Sequence, residues 1–193
     1  MLHSISLTCV RYRLRPVTIE DASFIVALRT DELRNRFVHE ISSRIEDQVA
    51  WLEGYFERAG DYYFIVENAD SSEPQGTIGL HDATSESDCT EWGRWILRRG
   101  SMAALESAWL IHEVGLSKLH LASLRSRTLA ENRAVLSFLD SFGASRSNIL
   151  EAHFTIRGEP KTVVEHRITA ADWPKLRAQH YSTASRLACY VRR

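Results

Sequence analysis

The sequence predicts a mixed α/β (α+β) domain around one central sheet. Amphipathic segments of helical period alternate with short aromatic and β-branched segments. The first strand connects to the second through helices, while the next two connections are short polar loops, so the middle strands form a meander. In the second half of the chain, two helices open directly after strands, which is where chemistry concentrates in such folds.

The elements follow in order. RYRLRP (11–16) is a first strand, ended by Pro16. A helix opens at Thr18 with Asp21 as its acidic cap partner, and carries Ala22, Ile25, Val26 and Leu28 at helical spacing. Ser43 and Glu46 read as the capping box of a second helix, with Val49, Leu52 and Phe56 on one face and an end near Gly60. Strands follow at 61–68 (DYYFIVEN), 75–82 (QGTIGLHD) and 89–97 (CTEWGRWIL). Next come a helix over 101–116, a buried strand at 119–124, and a helix over 128–144 (TLAENRAVLSFLDSFGA) opened by a Thr128/Glu131 capping box. AHFTIR and TVVEHRI flank Arg157-Gly158-Glu159-Pro160 as a hairpin, and Thr169 and Asp172 cap a last helix. Residues 11–168 thus form one domain, with 169–193 a C-terminal helix and tail.

Composition narrows the function. A chain of 193 residues is long enough to bury a sizeable core. The net charge of −1 gives no bulk field for nucleic acid or membranes, so neither is expected as a partner. Of the 24 basic residues 21 are Arg, so an Arg cluster carries little weight by itself. Cys9, Cys89 and Cys189 are few and widely spaced, which suits a reducing cytoplasm and no disulfide framework. The N-terminus has no signal-peptide pattern, and no stretch approaches the ~20 apolar residues of a membrane helix. The histidines show no paired-ligand spacing, so no metal site is expected. Trp51, Tyr55, Tyr62 and Tyr63 read as packing residues.

The helix openings carry the functional signal. A strand runs into Arg98-Arg99-Gly100 and a helix begins near Ser101, with Met102, Ala103 and Ala104 in its first turn and no acid before Glu106. A helix N-terminus presents unpaired N–H groups and partial positive charge. A small, neutral first turn beside two Arg leaves room for a phosphate or pyrophosphate; a Ser-capped core helix with solvated Arg is the plainer alternative. In the following helix, Asn132 sits at the opening, away from the apolar stripe of Val135, Phe138, Leu139 and Phe142.

This pattern resembles the GCN5-related N-acetyltransferase (GNAT) superfamily. Its signature is Gln or Arg, two residues, Gly, one residue, then Gly or Ala; Arg99 through Ala104 keeps that spacing with Met102 in place of the first Gly. In the family an Asn starts the next helix and a Gly closes it eleven positions later, an interval that Asn132 and Gly143 keep. The resemblance covers about residues 11–168. LRTDELRNRF and EDQVAWLEGYFERAGDYYFIVEN look like the sugar-nucleotide amine acetyltransferases, and the ribosomal-protein N-terminal acetyltransferases share a similar layout.

The resemblance implies an acyl-CoA N-acyltransferase fold, a mostly antiparallel sheet of about seven strands flanked by helices. It implies acetyl-CoA as acyl donor and a small-molecule primary amine as acceptor, with a nucleotide-linked amino sugar as the leading candidate, and it admits a homodimer. A protein N-terminus or an amine antibiotic is the alternative acceptor, and a CoA-binding module without catalysis is a reading of another class. By the same resemblance, Ile96 and Leu97 end a splayed strand that holds pantetheine and the thioester carbonyl. Arg98, Arg99, Gly100, Ser101, Met102, Ala103 and Ala104 hold the pyrophosphate, and Asn132 contacts the pantetheine or phosphate arm. Glu91 is the first candidate for general base, since alternation groups it with Gly93 and Trp95 on one face and Trp92, Arg94 and Ile96 on the other. His81 or Asp82 could serve instead. Many members carry a Tyr acid seven residues after the Asn, where this chain has Leu139. Arg29, Arg34, Asn35 and His39 lie in the segment that covers the acceptor cleft in similar proteins, and a nucleotide diphosphate would suit Arg forks.

Overall fold

The computed structural model describes residues 2–31, 37–84 and 88–191. A two-residue strand β1 (Leu7–Thr8) precedes β2 (Tyr12–Pro16), and a 3-10 turn over Ile19–Asp21 leads into α1 (Ala22–Thr30) and then α2 (Ile45–Phe56). The meander is β3 (Tyr62–Asn68), β4 (Pro74–His81) and β5 (Thr90–Leu97). Then come α3 (Ala104–His112), which continues as a π-helix over Glu113–Lys118, β6 (Ser123–Leu129) and α4 (Arg133–Phe142). The hairpin of β7 (Ser145–Ile156) and β8 (Glu159–Thr169) and the long α5 (Trp173–Val191) complete the chain.

The strands form one eight-stranded sheet in the order β1-β2-β3-β4-β5-β6-β8-β7. Every neighbouring pair is antiparallel except β5 and β6. The expected mixed, mostly antiparallel sheet is therefore present, with β1 as one strand more than the sequence reading counted. Alternation along β3 builds both faces. Phe64 and Val66 join Leu14, Ile78, Leu80 and Trp92 under α3 and α4. Tyr63 and Ile65 join Ile25, Leu52 and Tyr55 under α1 and α2. α5 docks on the first face: the Trp173 indole donates to Glu113, and the Trp109 indole donates to the Arg177 carbonyl.

Several boundaries differ from the sequence reading. α2 starts at Ile45 with Arg44 as a cap lacking any side-chain bond, so Ser43 and Glu46 do not form the expected capping box. The strand expected at 119–124 lies at Ser123–Leu129, because Leu119 and Leu121 pack into the core from the connection ahead of it. Thr128 is consequently a buried strand residue, and the cap of α4 is Asn132, whose Oδ1 accepts from the Val135 amide at 3.4 Å. α3 starts at Ala104 rather than Ser101, whose hydroxyl accepts from the Ala103 amide at 3.3 Å. Glu106 thus falls in the first turn after all. Its Oε2 is spent on the amides of Val10, Arg11 and Tyr12, at 2.8, 2.8 and 3.1 Å.

Candidate active site

β5 and β6 pair at two positions only, Thr90 with Leu124 and Glu91 with Arg125. Beyond them the strands part, β5 remaining with β4 and β6 with β8. The residues from Trp92 to Leu97 therefore make no ladder bonds on the β6 side, and a cavity of about 540 Å³ opens there. It is lined by both strands, by Ala104 at the start of α3, by Asn132 and Val135 of α4, and by Arg29 and His39. The β7–β8 hairpin adds Phe154 and Ile156. His39 meets the Phe154 ring edge-on at 5.9 Å, and Arg157 reaches Glu40 at 2.9 Å, so residues 39–40 and the hairpin contact each other beside the cavity.

A β-bulge sets which side chains face which way. Gly79 faces Gly93 and Thr77 faces Ile96, so Arg94 and Trp95 together oppose Ile78. Arg94 takes a φ of 51°. A bulge shifts the alternation by one residue. The expected grouping is therefore corrected: Trp95 lies with Trp92, their rings 5.6 Å apart. Arg94 instead joins the α1–α2 face, 5.0 Å from the Tyr63 ring centre, with its guanidinium forked onto Asp61.

Glu91 and His81 are direct partners across β4 and β5, and both line the cavity. Gly93 follows on the same face, where a Cβ would sit 3.3 Å from His81 Nε2. Burial first, and then the Arg94 charge, lower the His81 imidazole to about 4, so it is neutral at pH 7. Glu91 is not a free carboxylate, since its Oε2 accepts from Arg127 at 2.9 Å and lies 3.9 Å from Arg125. Its Oε1 has no hydrogen-bond partner among the described residues. Asp82 is exposed and outside the cavity lining.

Of the proposed cofactor residues, Ile96, Leu97, Ala104 and Asn132 line the cavity, while Arg98, Arg99, Gly100, Ser101, Met102 and Ala103 do not. The turn that those six form lies between two lining residues, at the cavity's edge. Arg98 is paired with Glu73, Arg99 is exposed, and Gly100 takes a φ of 79°. Met102 turns away from the cavity, 58% exposed, into a small depression shared with Arg11, Leu187 and Ala188. It therefore does not narrow the splay. Leu139 is buried and contributes only apolar surface. Arg29 and His39 line the cavity, whereas Arg34 and Asn35 lie outside the described residues. Sequence reasoning missed Tyr63, Thr77, Arg94 and Arg127 as lining residues. The bulge and the strand splay that expose them leave no local signature, apart from Gly93 within an otherwise bulky strand.

The residues fit acetyl-CoA on two observations: the unpaired backbone edge of β5 facing the cavity, and a capping Asn132 that also lines it. A family model described as Acetyltransferase (GNAT) domain matches residues 11–145. FdhC, a nucleotide-linked sugar GNAT, is similar at 27% identity over 92% of this chain and 97% of its own, with a TM-score of 0.78. A GCN5-related N-acetyltransferase from Brucella melitensis shares the fold at 17% identity over 94% and 86%, with a TM-score of 0.81. Spermidine N-acetyltransferase from Vibrio cholerae, solved with CoA and spermine, shares it at 17% identity over 84% and 98%, with a TM-score of 0.76. No curated protein matches the chain in sequence. With the family match spanning most of the chain and the splayed strand pair in place, the protein belongs to the GNAT family of acetyltransferases.

Proposed function

We propose that the protein transfers an acetyl group from acetyl-CoA to the primary amine of a nucleotide-linked amino sugar. The observation that carries this is the opening between β5 and β6, a cavity with an unpaired strand edge on one side and Arg29, His39 and the hairpin on the other. The likeness to FdhC along nearly the whole of both chains supports the acceptor class.

Acetyl-CoA would supply the activated acyl group. The unpaired backbone of 94–97 would hold pantetheine and polarise the carbonyl, and backbone donors in a site closed to water are worth a few kcal/mol of barrier. Asn132 and the amides from Arg99 to Ala104 would hold the phosphates. Gly93 leaves room for the amine beside Glu91 and His81. Glu91 would take the amine proton on Oε1 while Arg127 holds Oε2, and His81, kept neutral, would offer a lone pair on the facing strand. With Leu139 in the acid position, the departing thiolate, of ordinary pKa about 8.5, would take its proton from water.

A thiol-release assay tests the reading with a UDP-linked amino sugar, the same amino sugar as a methyl glycoside without the diphosphate, an N-terminal peptide and spermine. Turnover should be highest on the nucleotide-linked sugar. Absence of CoA release with every amine would remove the catalytic reading.

A further inference from the structure

Among the described residues, charge inside the cavity is not balanced. Arg94 is forked onto Asp61, and Glu91 is held by Arg127. That leaves Arg29, at the end of α1, with no carboxylate within 4.0 Å among the described residues. Among the described residues its one hydrogen bond runs from Nη2 to the His39 carbonyl at 3.1 Å, and its buried Nε has no partner. Burial, joined by the nearby Arg94 charge, presses its pKa below the ordinary guanidinium value. An Arg remains charged at pH 7 nonetheless. A half-buried guanidinium without a carboxylate beside it is costly unless a ligand supplies the counter-charge.

We infer that Arg29 is an oxyanion subsite for the acceptor, taking its diphosphate on the guanidinium fork, and that it turns polyamines away from this cavity. The inference rests on the acetyl-transfer reading of the same cavity. An oxyanion meets the fork as a planar pair of hydrogen bonds, which a Lys cannot reproduce. A polycation would meet Arg29 and Arg94 with Glu91 as the single carboxylate among the described lining residues, and Arg127 already holds that carboxylate. The Arg29 charge is thus repulsive to spermine and attractive to a diphosphate.

The test is calorimetric titration of UDP, and separately of succinate, into protein saturated with CoA, so that the cofactor's own phosphate site is filled. UDP should bind, and Arg29→Gln should weaken it by about 10- to 100-fold, the range for losing a charge-assisted hydrogen bond. Arg29→Lys should recover part of the loss, and CoA affinity should match the wild type in both variants, which reports an intact fold. UDP affinity unchanged by Arg29→Gln would overturn the inference, as would spermine acetylated as efficiently as a UDP-linked amino sugar. Succinate binding with the same Arg29 dependence, without UDP binding, would overturn the diphosphate assignment. Arg29-dependent UDP binding in a protein that acetylates no amine would support the subsite while the catalytic reading fails.

Discussion

Gly93 shows how much one missing side chain can decide. A Cβ there would approach His81 Nε2 to 3.3 Å, and in the proposed reading it would take the space the amine needs beside Glu91. Gly93→Ala should lower kcat/KM by at least tenfold, about 1.4 kcal/mol of barrier, while a urea melt moves little. A variant that keeps full activity would show that the amine does not pass over Gly93. The cap that Asn132 makes and the CoA contact proposed for it separate by substitution. Asn132→Ala removes both the cap and the cavity-lining amide, and should cost about 1 kcal/mol of stability along with CoA affinity. Asn132→Ser keeps a capping oxygen, so stability should return while CoA affinity stays reduced. Recovery of both together would assign Asn132 to the helix alone. The family resemblance drew attention to Asn132 through its interval to Gly143; its duty as cap was hidden by Thr128, which with Glu131 reads as a capping box but belongs to the strand.

At the scale of elements, periodicity located strands and helices well and their irregularities poorly. β2, β3, β4 and β5 lie within a residue of their expected bounds, because alternation and turn residues mark both ends. The hairpin turn at Arg157 and Gly158 also matches, with φ values of 53° and 79°. The bulge at Arg94 was not legible, since no sequence period encodes an extra residue, and it reversed the faces of Arg94 and Trp95. The splay of β5 from β6 was legible only through family resemblance. α4 ends as its sequence dictates: Gly143 has a φ of 87°, and a Cβ there would meet Leu176 Cδ2 at 2.7 Å. Gly143→Ala should therefore destabilise by about 1–2 kcal/mol or more, through left-handed strain plus the clash with α5. An unchanged denaturation midpoint would mean that α5 does not sit as described.

For the whole molecule, two histidines tie the fold to pH. His112 is buried among Trp92, Phe142 and Trp173, and burial brings its pKa to about 4, as it does for His81. A pKa lower in the folded than in the unfolded state means that the unfolded chain binds more protons between about pH 4 and 6.5. Stability should fall as pH drops through that window, by about 2 kcal/mol per histidine between pH 7 and pH 5. Urea titrations at the two pH values should show it, and His112→Gln should flatten the difference; an equal slope in the variant would place the acid sensitivity elsewhere. The same sheet that buries His112 on one face opens between β5 and β6, and that opening is the centre of the functional account. It is tested most directly by hydrogen exchange with and without acetyl-CoA. Slowed exchange at 92–104 and 132–135, with the depression beside Met102 and Leu187 unchanged, is the result expected. Protection confined to that depression, or none at millimolar acetyl-CoA, would contradict the placement of the acyl donor between the two strands.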